Sequence, residues 1–127
     1  MRVFLALLVL SVATPLCAQS NPPECQSPRT TLEINACVGA EARQTEAEME
    51  SVFAALMAQM RRGEEFVPTG LPVQLEDAQR AWRAYRASQC DFAGASTLGG
   101  TGSASFYLSC MARLNRERAA ELRLFLE

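Results

Sequence analysis

The sequence contains no histidine and no lysine; all twelve of its cations are arginines. Histidine is the commonest general base near neutral pH and the commonest metal ligand, so much catalytic and metal chemistry is excluded at the outset. A serine or threonine hydroxyl has no imidazole to take its proton. No two cysteines stand at C-x-x-C spacing, so zinc and dithiol redox sites lack their usual ligand pattern. The net charge of −2 gives no dense basic surface for nucleic acid. Aromatic residues are scarce, with one tryptophan. The only long apolar run, Val3 to Val12, is shorter than the roughly 20 residues needed to span a bilayer.

That run follows Met1-Arg2 and precedes Pro15-Leu16-Cys17-Ala18 and a polar stretch, the pattern of a secretory signal peptide. Ala18 has the small side chain expected just before a cleavage site. Residues 1–18 are therefore expected to be the signal peptide and 19–127 the mature helical domain, periplasmic or extracellular. The alternative, lipidation of Cys17, is disfavoured because Leu16 and Pro15 stand where small residues belong. Cutting after Ala18 removes one arginine and no acid, leaving 11 arginines against 14 acids, a net charge of −3.

The mature chain opens with a proline-rich arm, residues 19–29. Thr30-Thr31-Leu32-Glu33 matches a capping box, in which a hydroxyl takes an orphan backbone N–H and the glutamate reaches back. Ile34, Val38, Ala42, Thr45, Met49, Val52, Phe53, Leu56 and Met60 then recur at helical spacing, predicting a helix over about 30–62. Residues 63–72 hold glycines and prolines and predict a connection. A second helix is expected over about 73–92, with Leu75, Ala78, Trp82, Tyr85 and Gln89 on one face and Arg80, Arg83 and Arg86 on another. A glycine-rich loop over 93–103 leads to a third helix at about 104–126, striped by Tyr107, Met111, Leu114, Leu122 and Phe125. No strand-like alternation appears. The expected fold is all-α, a small disulfide-stapled bundle of three main helices.

Three amphipathic helices with few aromatics make a thin core for a domain of this size. Cleavage leaves Cys25, Cys37, Cys90 and Cys110, an even count that in a short exported chain implies two disulfides. Four cysteines allow three connectivities. The pairing Cys25–Cys37 with Cys90–Cys110 is preferred because both bridges close local loops at helix ends, each stabilising by roughly 3 kcal/mol in the chain-entropy model.

Candidate chemistry is sparse. The stretch Leu98-Gly99-Gly100-Thr101-Gly102-Ser103 lacks the lysine and preceding strand of a phosphate loop and serves better as a turn between helices. A carboxylate pair for glycoside hydrolysis would have to come from acids such as Glu46, Glu48 and Glu50, which fall on an expected solvated face. The most distinctive segment is Ala78 to Arg86, containing Gln79, Arg80, Trp82, Tyr85 and Arg86. Trp82 is expected to anchor the core of helix 2. Arg80 and Arg86 are expected to cover it with their stems or to pair with an acid of another helix, with Glu33 the candidate. Asn35, a poor helix former, is expected to bond across to a neighbouring segment.

These residues resemble a known family, the lysozyme inhibitor LprI-like proteins. The matching pieces are Thr31 to Cys37, Ala47-Glu48-Met49 before Val52-Phe53, Ala78 to Arg86 leading to Cys90, Gly99 to Ser103, and Cys110 to Leu122. The order of N-x-C, Q-R-x-W-x-x-Y-R and a late cysteine carries the resemblance. It departs at Glu50 and Phe53, where the family often has asparagine and tyrosine. The resemblance implies an exported, all-helical, cysteine-bearing domain and, for some members, inhibition of lysozyme.

The functional expectation is an exported envelope-binding protein, not an enzyme, without cofactor or metal. A lysozyme is the first candidate partner, since lysozymes are usually cationic and charge complementarity speeds encounter. The alternative is a structural or interaction module with another envelope protein as partner. Glu46, Glu48 and Glu50 and the glycine-rich loop are the candidate interaction surface.

Overall fold

The computed structural model describes residues 25–62 and 68–126. The expected signal peptide, Cys17 and the cleavage point after Ala18 lie outside the described residues. The described residues form three helices: α1, Thr31–Arg61; α2, Leu71–Ala95; and α3, Ser103–Arg123. No strand occurs among the described residues.

Helix α1 starts where the capping box predicts. The Thr30 hydroxyl accepts from the Glu33 N–H at 3.2 Å, and the Glu33 carboxylate accepts from the backbone N–H groups of Thr30 and Arg29. Two orphan donors are satisfied in this way, and the glutamate also opposes the positive end of the helix dipole. Helix α2 begins two residues earlier than expected. Proline at the second helical position is compatible with a helix start because its missing N–H would have had no partner there. Gly70 precedes it at φ +94°, in the left-handed region that glycine enters without strain.

The far end of α2 runs three residues further than expected, which shortens the glycine-rich loop to residues 96–102. Gly94 allows this. A β-carbon there would lie 3.3 Å from the Ser103 carbonyl oxygen and 3.4 Å from the Tyr107 Cβ, so a bare backbone lets α2 and α3 approach closely.

Inter-helix pairs give the topology. Glu41 meets Arg116 and Glu48 meets Arg123, so α1 and α3 advance together and run parallel. Glu46 meets Arg86 and Glu50 meets Arg83, so α2 runs the other way. Helix α3 is the spine, packed along both others, while α1 and α2 meet least.

At the end away from the loop, Met49, Val52, Leu56, Ala119 and Leu122 form an apolar cluster, flanked by Phe53, Met60 and Leu75. Burying each large aliphatic side chain contributes about 1.5–3 kcal/mol. Toward the loop, the core is Cys90, Cys110 and Leu114, with Tyr107 and Met111 against them. Trp82 packs against both clusters and joins them. The two disulfides are Cys25–Cys37 and Cys90–Cys110, as preferred from the sequence, each with Cα atoms 5.4 Å apart. Both brace the half of the bundle where the apolar core is thinnest.

Three details of the expected faces are corrected. Ala78 and Tyr85 are exposed, and α2 instead turns Gln79 and Arg86 into the core. Trp82 is partly rather than fully buried. Phe125 lies beyond the end of α3 and is exposed, its carbonyl accepting from the Gln59 side chain at 3.1 Å.

Candidate functional site

The distinctive α2 segment divides into two sides. Arg80 and Tyr85 point outward, Arg80 pairing with Asp77 one turn away. Gln79, Trp82 and Arg86 point inward, where they meet polar residues of the other two helices.

Arg86 is the centre of that network. One guanidinium nitrogen donates to Asn115 Oδ1 at 2.5 Å and another to Glu46 Oε1 at 3.0 Å. The guanidinium also stands 5.1 Å from the Trp82 ring centroid, within cation–π range. Asn115 in turn donates to the Ala42 carbonyl at 3.3 Å and to Thr45 Oγ1 at 3.4 Å, and Thr45 Oγ1 donates to the Glu41 and Ala42 carbonyls. A charge sunk this deep needs such partners, because removal from water without them costs several kcal/mol. The Arg86 Nε remains buried without a partner among the described residues.

Gln79, with no exposed surface, is held on both sides of its amide. It donates to the Met49 sulfur at 3.0 Å and accepts from Arg118 Nε at 2.9 Å. Arg118 lies 5.8 Å from the same Trp82 ring. The glutamine, tryptophan and second arginine of the motif therefore act together as the polar join of three helices. Their arrangement is architectural.

Glu33 and Asn35 stand apart from this network. Glu33 is committed to the α1 cap and does not pair with Arg86 or Arg80; Glu46 and Asp77 fill those places. The backbone N–H of Arg29, then that of Thr30, holds the Glu33 carboxyl below its ordinary value. Asn35 Oδ1 is buried with no hydrogen-bond partner among the described residues, so the cross-segment bond expected from the sequence is absent there.

The acids Glu46, Glu48 and Glu50 do not form one surface. Glu46 and Glu50 face α2, where Glu50 receives Arg83 at 2.6 and 2.8 Å; Arg83 also lies 5.6 Å from the Phe53 ring. Glu48 faces α3 and pairs with Arg123. Each is matched inside the molecule.

The glycine-rich loop differs in character. From Phe92 to Ala112 there is no charged residue. Ser96 and Thr97 hydroxyls donate to the Ala93 and Gly94 carbonyls, and Ser103 Oγ reaches back to the Gly94 carbonyl at 3.0 Å, so the two loop ends are tied together. Backbone bonds from Leu98 to Ala95 and from Gly100 to Thr97 continue the order through the turn. Gly99 has φ +77°, and Leu98 beside it has φ +52°, unusual for a leucine. Leu98 is 95% exposed. Sequence reasoning named Gly99 to Gly102 as candidates but gave no separate role to Leu98, Asn115 or Arg118. The signal for Asn115 was its place four residues from Met111 and seven from Leu122, on the apolar stripe of α3.

Among the described residues no three His, Cys, Asp or Glu side chains are grouped to hold a metal ion. No helix among them is long and apolar enough to cross a membrane. Against known proteins, the family model described as lysozyme inhibitor LprI matches residues 23–122. An uncharacterized protein of Rhizobium meliloti (strain 1021) is 30% identical over 126 residues, covering 94% of this chain and 91% of that protein. No solved structure matches.

Proposed function

The chain belongs to the lysozyme inhibitor LprI family, and on that footing we propose that it is an exported, periplasmic binding protein that protects the cell wall by engaging a lysozyme. The carrying observation is the family match over residues 23–122, which includes all four disulfide cysteines. Disulfides persist in oxidising compartments outside the cytoplasm, where a lysozyme would be met. In this reading residues 1–18 are removed on export and residues 19–127 form the working domain.

The architecture supports binding by a preformed scaffold. Two staples and a three-helix polar join hold the backbone, so little conformational freedom is lost on association. The experiment is a cell-wall lysis assay in which purified mature protein is mixed with several lysozymes. Protection at micromolar excess is expected with at least one; no protection with any of them overturns the reading.

A further inference from the structure

We infer that the contact surface for the cationic partner is the face beside the Cys90–Cys110 bridge, where the uncharged segment 92–112 presents Leu98 as the apolar anchor and Asp91 supplies the carboxylate that meets a partner's cation. The inference deepens the lysozyme reading and rests on it.

Charge pairing isolates Asp91. Glu41, Glu46, Glu48, Glu50, Glu76 and Asp77 each meet an arginine, as do Glu117 and Glu121. Glu33 is spent on the α1 cap. Asp91 is the one acid among the described residues without an ion pair or hydrogen bond, and it is exposed. A carboxylate already matched by an arginine offers little to a cationic protein, because an incoming cation must displace the existing one. Asp91 needs no such displacement.

Its position adds the second part. Asp91 lies on the last turns of α2 and lines a shallow groove with Gly94, Ser103, Tyr107 and Leu108, beside the loop that presents Leu98. Asp91 directly follows Cys90, whose bridge to Cys110 ties this part of α2 to α3. Leucine in the left-handed region is disfavoured relative to glycine, yet two glycines follow it at once and leucine stands at the exposed position. A residue that gives the fold no burial and a strained backbone is suited to burial in a partner. A few central, fully desolvated contacts carry most of an interface's affinity, and an exposed apolar side chain held on a rigid frame is placed to be one of them.

The experiment compares wild type with Leu98→Asp, Leu98→Gly, Asp91→Asn and the distant control Glu117→Gln. Each is scored for lysozyme affinity by calorimetry at low and high salt, and for melting temperature. Expected is a loss of affinity of about tenfold or more for both Leu98 variants and for Asp91→Asn. Melting temperatures should be unchanged, or raised for Leu98→Gly, and the control should match wild type. The salt dependence of binding should be weaker in Asp91→Asn. Wild-type binding that survives all three substitutions overturns the inference and leaves the lysozyme reading standing. Failure of the wild type to bind any lysozyme removes both.

Discussion

Arg86 of α2 donates to Asn115 of α3 at 2.5 Å, and the same asparagine donates onward to the backbone of α1 at Ala42. One side-chain contact thus ties all three helices, in a molecule whose α1 and α2 otherwise touch little. Helices α1 and α2 communicate mainly through long side chains laid across the gap between them: Arg83 to Glu50, Arg86 to Glu46, Arg61 to Glu76 and Gln79 to Met49.

Asn115→Leu should destabilise the fold by about 2–4 kcal/mol, because it strands a buried guanidinium nitrogen and leaves the Glu46 carboxylate as the main remaining partner. Arg86→Met alone should also destabilise. The double variant should lose less than the sum of the two, with a coupling of about 1 kcal/mol or more. Urea unfolding of the four proteins measures this directly, and strict additivity would contradict the network.

Trp82 is the only tryptophan and joins the two core clusters, so its fluorescence reports the middle of the bundle. The fluorescence and far-ultraviolet circular dichroism transitions should coincide, as for a single cooperative unit. Trp82→Ala should lower stability by about 3 kcal/mol, at the low end for a large aromatic because the ring is only partly buried. Two separated transitions in the wild type would mean that the clusters unfold independently.

Removing either bridge should reduce stability by about 3 kcal/mol from loop closure alone. Cys90→Ser with Cys110→Ser should cost more than Cys25→Ser with Cys37→Ser, since the first pair is itself buried core and the replacing hydroxyls enter an apolar site. Thermal melts rank the two double variants. Intact mass of the exported wild type should show the loss of four hydrogens, and free thiols would contradict the framework.

Glu33 supplies a pH dependence with a definite sign. Its folded pKa lies below the ordinary 4.5, so its stabilising contribution is complete above that value and is lost as the pH falls through the lowered one. Glu33→Gln should therefore weaken the α1 cap near neutral pH and flatten the decline in stability on the acid side. Melting temperatures from about pH 6 down to about pH 3 test it. An equally steep acid decline in the variant would assign that decline to other carboxylates.

Much of the architecture was legible because it is local. The Thr30–Glu33 cap acts within one helical turn. The glycines and prolines mark the connections through backbone geometry, and the α1 stripe from Ala42 to Met60 follows helical spacing. The cysteine pairing was legible too, since each bridge spans a short loop at a helix end. Faces were harder where polar and apolar residues exchange roles. Tyr85 has the composition of a core residue but stands exposed, whereas Gln79 and Arg86 look like surface residues and are buried.

From its own residues and their spacing the chain determined its three helices and the capped start of α1, and favoured the local pairing of its two staples, because caps, periodicity and short loops depend on neighbours in sequence. Only the tertiary structure decided which carboxylates are already matched, which arginine is buried, and that Asp91 is left unmatched beside a projecting Leu98. Those outcomes depend on partners far apart in the chain, such as Arg86 with Asn115 and Glu48 with Arg123, whose meeting is set by how three helices cross.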